Sequence, residues 1–350
     1  MTLFIPLLRK VPEIVEGDGA LADRYGRVVT SLRISLNASA LCNYRCVFCH
    51  MEGINENFET LMTPEEIARI VHVLTPFGIE RVKLTGGEPM LRTDILTIVH
   101  MVKETGISEL SMTTNGTRLR ELAFKLKEEG LDRVNVSLHT LKPDRYREIT
   151  KADKHAEVVE AIHTAVEAGL TPVKVNVTLM KGVNDDEIED LIEFTASLGA
   201  EKATLQLIEL IDSNREFYER FHLPLPEIES RLRGRSVKVV KRQMQGRNQY
   251  QLSNGVRVEL VTPMDNCEFC SANNRMRVTY DGRFKPCLLR EDNHVDFLTT
   301  MRNGASDAEL IEIYKRAMWI REPYFRTPDL KPVAEIRRVK REEHANRTAE

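Results

Sequence analysis

No stretch of this chain approaches the length of a membrane span, so a helical membrane anchor is not expected. Residues 1–30 show no secretory pattern. Met1 to Lys10 has no long apolar run, and Glu13, Glu16 and Asp18 follow soon after, which argues against export. Charge of one sign is also missing. A net charge of −3 gives no overall pull toward nucleic acid. There is no repeat at solenoid periods and no low-complexity block. Cysteine is scarce, and none stands outside two groups of three. These absences leave a cytoplasmic globular chain, long enough at 350 residues for one large domain or two ordinary ones.

The two cysteine groups are the informative feature. Cys42, Cys46 and Cys49 form C-x3-C-x2-C, and Cys267, Cys270 and Cys287 form a second triplet. A cubane iron–sulfur cluster normally takes four thiolates, so three ligands leave one iron open to a small molecule. Two such sites suggest two clusters in an enzyme rather than an electron carrier. Other readings exist. Cys46 to His50 also spells the c-type haem attachment pattern, but haem attachment would need export and leaves Cys42 unexplained. A Cys3His zinc site including His50 fits the spacing as well, and would suit a zinc-stabilised interaction protein. Structural disulfides are not expected in a chain without an export signal.

From about residue 31 to 210, short apolar runs alternate with amphipathic stretches. Strands are expected at Leu32–Leu36, Arg81–Thr85, Glu109–Thr113, Arg133–His139, Val173–Leu179 and Ala203–Leu210. Helices are expected near 64–75, 94–104, 118–129, 155–168 and 186–198, the first opened by Thr63-Pro64-Glu65-Glu66, a cap, a proline and a capping-box glutamate. Such alternation implies parallel strands, arranged as an open sheet or a partial barrel, with the site at their C-terminal ends. Polar residues alternate with apolar ones in several strands. Lys174 and Asn176 share one face of their strand, Asn135, Ser137 and His139 another, and Lys83 and Thr85 a third. Burying an unpaired ammonium is costly, so these faces predict a polar lumen. Residues 212–248 break the rhythm and read as a crossover. Residues 250–298 read as short strands and turns, and the last twenty residues as a solvated charged tail.

The first triplet falls in the loop after the first strand, and Gly86-Gly87-Glu88-Pro89 in the loop after the second. C-x3-C-x2-C followed by GGEP resembles the radical S-adenosylmethionine enzymes. That resemblance implies a [4Fe–4S] cluster on Cys42, Cys46 and Cys49, with the methionyl group of S-adenosylmethionine on the open iron. Phe48 would lie near the adenine, and Gly87 would meet the methionyl amine. The segments LRISL, VKLTGGEPMLR, MTTNG, NVSLHTL, VKVNVTLMKGVN and NRMRVTYDGRFKPCL, in this order, resemble the GTP 3′,8-cyclase family of molybdenum cofactor biosynthesis.

The resemblance covers about Leu32 to Phe297. It implies a partial (β/α)6 barrel with a C-terminal extension whose second cluster holds the purine of GTP. The expected boundaries are an N-terminal extension over 1–30, a barrel over 31–211, a second-cluster region over 212–330 and a tail over 331–350. Arg33, Lys83, Thr113, Lys174 and the run Arg275, Met276, Arg277 match GTP contacts, and Ser137 and Ile211 match positions near S-adenosylmethionine. The expected partners are GTP, a one-electron reductant and a downstream pterin-forming enzyme, with homodimer formation left open and neither nucleic acid nor membrane. A related radical enzyme acting on a peptide or another substrate is the alternative. Three departures stand out. Arg33 lies two residues farther from Cys42 than in the family. The family's middle C-terminal ligand falls on Asn273, so Cys267 either takes the vacant corner or is a free thiol. Finally, the chain ends in Thr348-Ala349-Glu350, where bacterial members have Gly-Gly.

Overall fold

Parallel pairing in chain order organises the molecule. Six strands, β1 (Ser31–Ser35), β2 (Arg81–Thr85), β3 (Glu109–Thr114), β4 (Arg133–Ser137), β5 (Val173–Thr178) and β6 (Ala203–Ile208), each lie beside the next. This computed structural model describes residues 16–17, 20–53, 61–242 and 244–326. The expected tail over 331–350 and much of the N-terminal extension lie outside the described residues.

Between the strands run α1 (Pro64–Leu74), α2 (Ile95–Lys103), α3 (Leu119–Glu128), α4 (Pro143–Thr150), α5 (His155–Glu167) and α6 (Ile188–Ser197). The Thr63 hydroxyl accepts from the Glu66 N–H, and the Glu66 carboxylate accepts from the Thr63 N–H, so the expected capping box forms. Helix α4 was not anticipated. It is short and charged, and buries only Tyr146, Ile149 and Thr150, too few for a clear period. The six strands bury valine, leucine and isoleucine on their outer face against these helices. Val82, Leu84, Val134, Val136, Val175 and Val177 are all fully or almost fully buried there.

The sheet continues beyond the sixth strand. The segment after residue 212 is more than a crossover. It holds α7 (Arg215–Phe221), α8 (Pro226–Arg235) and β7 (Ser236–Lys241) before β8 (Asn248–Leu252) and β9 (Arg257–Val261). Strand β9 lies parallel on β6, with β8 and β7 antiparallel outside it. At the other end, β10 (Arg275–Val278) lies parallel on β1 and carries β11 (Arg283–Lys285) and β12 (Val295–Asp296) antiparallel. One twelve-stranded sheet results, with β7 and β12 at its ends. It curves without closing, as a partial barrel. Among the described residues no helix is long and apolar enough to cross a membrane.

Candidate active site

Both motif loops leave the C-terminal ends of adjacent strands, β1 and β2. There Gly87 donates its N–H to the Asn37 carbonyl at 3.0 Å. A Cβ on Gly86, whose φ is +122°, would stand 2.7 Å from that same oxygen, and one on Gly87 would stand 2.5 Å from the Ala38 carbonyl oxygen. The glycines are therefore required by the close approach of the two loops.

The loops wall a cavity that brings together Cys42, Cys46, Cys49, Phe48, Gly87, Ser137 and Ile211, all the residues expected at the first cluster and S-adenosylmethionine. The three thiols are free, and burial pushes each one up, Cys46 to about 12. Three free thiols on the wall of one cavity are the donor set that an iron–sulfur cluster takes as thiolates. This donor set and the glycine-tight loop contact fit a cluster. Among the described residues no three of His, Cys, Asp and Glu form a ready single-ion site. Phe48 packs edge-on against His139 at 4.6 Å between ring centroids. His139 is buried, which lowers its pKa to about 4, and its Nδ1 accepts the Thr178 N–H at 3.1 Å. A neutral imidazole thus fixes the ring beside the third cysteine. Glu88 is buried beneath the loop, which pushes it up to about 7. It accepts from the Thr114 hydroxyl and the Asn115 N–H, both at 2.7 Å.

A second cavity adjoins the first, sharing Arg33, His50, Thr113, Asn176, Ile208 and Ile211 with it. Its character is different: nine lysine or arginine side chains line it, against one glutamate, Glu109. Sheet register builds this charge in rungs. Arg277, Arg33 and Lys83 lie side by side across β10, β1 and β2, while Asn135 and Lys174 are neighbours across β4 and β5. Lys83 donates to the Asn135 side-chain oxygen at 2.8 Å, a neutral partner, and burial drives its pKa well below the usual lysine value. Arg275 donates to the Met244 sulfur, and its Nε is buried with no partner, as is the Nε of Arg33. Unpaired buried donors of this kind call for an anion.

Three carboxylates partly offset the cations. Arg133 donates to Glu109 at 2.6 Å. Glu259, on β9, takes Lys174 directly and Arg247 at 3.2 Å. Burial alone would raise Glu259, but Lys174, Arg247 and Arg242 outweigh it and keep it ionised. Glu52, from the loop after Cys49, bonds Arg33 and Arg277. Neither Glu52 nor Glu259 was anticipated. Glu259 leaves a signal in retrospect, as an acid within Val256-Arg257-Val258-Glu259-Leu260. Glu52 sits in an irregular loop with no period.

Cys270 and Cys287 line this second cavity, and Asn273 stands with them. Cys267 is not in the cavity wall. It occupies the first turn of α9 (Cys267–Ser271), three residues before Cys270 and thus on the same helix face. The Asn273 side-chain oxygen accepts the Arg275 N–H at 3.0 Å, so the residue closes a turn. Arg27 donates to the Cys270 carbonyl at 2.8 Å and Arg321 to that of Asn273, and Asp23 holds both arginines. Met276 stands apart from the arginines on either side of it. Met276 is fully buried in the apolar core, because strand alternation sends it to the face opposite Arg275 and Arg277. Its side chain does not line the cavity.

Comparison with known proteins agrees with this geometry. The Radical SAM superfamily pattern matches residues 36–195, and that of Molybdenum Cofactor Synthesis C matches residues 203–327. A Thermococcus kodakarensis protein named probable GTP 3′,8-cyclase is 50% identical over 314 residues, covering 87% of this chain and 100% of its own length. One of the same name from Pyrococcus horikoshii is 48% identical, covering 87% and 98%. Among solved structures, Streptococcus suis SuiB bound to S-adenosylmethionine matches with a TM-score of 0.56 at 16% identity, over 77% of this chain and 61% of that one. Native anSMEcpe with bound AdoMet matches with a TM-score of 0.50 at 16% identity, over 84% of this chain and 83% of that one. At such identities the two structures show a shared fold alone.

Proposed function

Because the chain belongs to the Radical SAM superfamily and, within it, to the family of its GTP 3′,8-cyclase relatives, we propose that it converts GTP to the 3′,8-cyclised nucleotide that opens molybdenum cofactor biosynthesis. One observation carries the reading: a cysteine-triplet cavity opens directly into a cavity lined by nine cations. A nucleoside triphosphate is the substrate class that such charge suits, and guanidinium forks match phosphate oxygens.

The first cysteine triplet would hold a [4Fe–4S] cluster, which supplies the electron that cleaves the sulfonium of S-adenosylmethionine. Phe48, kept in place by His139, would face the adenine, with Gly87, Ser137 and Ile211 around the rest of the cofactor. Lys83, Lys174, Arg275, Arg277, Arg33 and Thr113 would hold GTP with its ribose toward the first cavity. The hydrogen atom on ribose C3′ would end in 5′-deoxyadenosine, C3′ would bond to C8 as the guanine C8–N7 double bond opens, and one electron from the reductant with one proton would quench the nitrogen radical, giving an isomer of GTP. Cys270, Cys287 and Cys267 would hold a second cluster beside the purine, Cys267 taking the corner that Asn273 does not. The reading includes a one-electron reductant, a downstream pterin-forming enzyme and a cytoplasmic setting. It also divides the chain into a barrel over 31–211 and a second-cluster region over 212–330.

Anaerobic incubation of reconstituted protein with GTP, S-adenosylmethionine and a strong reductant tests this. The expected outcome is a cyclised nucleotide isomeric with GTP, formed together with 5′-deoxyadenosine. Cofactor cleavage that GTP neither stimulates nor turns into product would refute it.

A further inference from the structure

The contacts of Glu52 have no counterpart in the assignments above. Its carboxylate is buried, with the whole residue 7% exposed, and both oxygens are engaged. Oε1 accepts from Arg33 Nη2 at 2.8 Å and from the Thr85 hydroxyl at 3.2 Å. Oε2 accepts from Arg277 Nη1 at 2.5 Å. The two arginines are direct neighbours across the β10–β1 pair and project to one face. Like charges placed opposite each other on a sheet repel, and Lys83 extends the row on β2. No residue within the row offsets it. The carboxylate comes instead from the loop that carries the first triplet, at a residue held in left-handed backbone with φ +52°. His50 Nδ1 accepts the Glu52 N–H at 3.1 Å and helps fix that turn.

We propose that Glu52 is a positioning residue for nucleotide binding: it holds Arg33 and Arg277 at a fixed separation, so that their remaining N–H groups meet an anionic oxygen of the substrate. The unpartnered buried Nε of Arg33 is one such group. With a single negative charge between two guanidiniums, the trio keeps a net positive charge for the substrate while its internal repulsion is relieved. The inference rests on the nucleotide reading above and deepens it. It differs from a placeholder role, in which the carboxylate fills the phosphate site and must leave, because a placeholder competes with substrate and a positioning residue assists it.

The test is equilibrium GTP binding to the reconstituted protein. It compares wild type, Glu52→Gln, the double variant Arg33→Ala/Arg277→Ala, and the triple variant. Glu52→Gln is expected to weaken binding at least tenfold in the wild-type background and less than twofold when both arginines are absent, since its effect runs through them. Iron content serves as the folding control. Should Glu52→Gln lose iron, Glu52→Asp decides, with weaker binding than wild type expected because its charge sits one methylene short. Unchanged or tighter binding in the deciding variant would overturn the proposal, as would equal weakening in both backgrounds. Wild type that binds no GTP would instead sink the nucleotide reading, and this inference with it.

Discussion

The two cavities are built from the same strand ends, yet they solve opposite electrostatic problems. Around the first triplet, the buried Glu88 and His139 are satisfied by neutral partners. Glu88 sits among the Thr114 hydroxyl and two backbone N–H groups, and His139 stays neutral against Phe48. In the second cavity, cations outnumber carboxylates, and donors on Arg33 and Arg275 go unpaired. On the proposed reading the first region takes the cluster and S-adenosylmethionine, whereas the second takes an anion. Preorganised cations of this kind exact a standing cost in stability for the sake of binding.

Removing a thiol should break the comparison most completely. Cys46→Ala should abolish cleavage of S-adenosylmethionine, while Cys287→Ala should keep uncoupled cleavage and lose cyclised product. Quantifying 5′-deoxyadenosine and nucleotide product separately checks this. Equal loss of cleavage in both folded variants would erase the division of labour between the cavities.

Next in size is Glu259, the fully buried counterion of the second region. Glu259→Gln leaves Lys174 and Arg247 uncompensated, and breaking a buried pair from one side costs about 3–5 kcal/mol. Urea unfolding should show a midpoint well below wild type. An unchanged midpoint would mean that solvent, not Glu259, balances these cations.

Arg275→Ala comes third. Losing a charge-assisted contact should weaken GTP binding by roughly 1.5–3 kcal/mol, about tenfold to a hundredfold, without loss of iron. Affinity within twofold of wild type would take Arg275 out of the site.

A further effect belongs to the first region and depends on pH. Burial holds His139 near a pKa of about 4 in the folded protein, below the ordinary value of about 6.5. Acidification below about pH 6.5 therefore protonates the unfolded chain first. The contribution of the neutral ring is complete above that pH and is lost as pH falls toward 4, amounting to at most about 3 kcal/mol. Unfolding midpoints at pH 7 and pH 5 should converge for His139→Gln relative to wild type. Parallel shifts in the two proteins would show that the ring does not titrate as described.

Much of this difference between regions is readable before folding. The period of two in Val173–Val177 exposes Lys174 and Asn176 as lumen residues, and a polar lumen is where they lie. The six strands and five of their helices follow from alternation and from caps such as Thr63. What escaped has a physical reason. Met276 is flanked by two cavity-lining arginines, but strand geometry turns its side chain to the core. Glu52 and Glu259 act through partners distant in sequence, 19 and 225 residues away for Glu52 and 85 for the Lys174–Glu259 pair. No local period reports such pairings. Helix α4 and strand β7 lie where charge masks the apolar pattern.

On the proposed function the two cavities operate as one chamber, the first generating the radical and the second presenting the ribose to it. GTP deuterated at C3′ tests this most directly. Incubated anaerobically with the reconstituted protein, S-adenosylmethionine and reductant, it should yield 5′-deoxyadenosine carrying one deuterium, in amounts matching the cyclised nucleotide. Deuterium retained in the nucleotide while unlabelled 5′-deoxyadenosine accumulates would contradict the account.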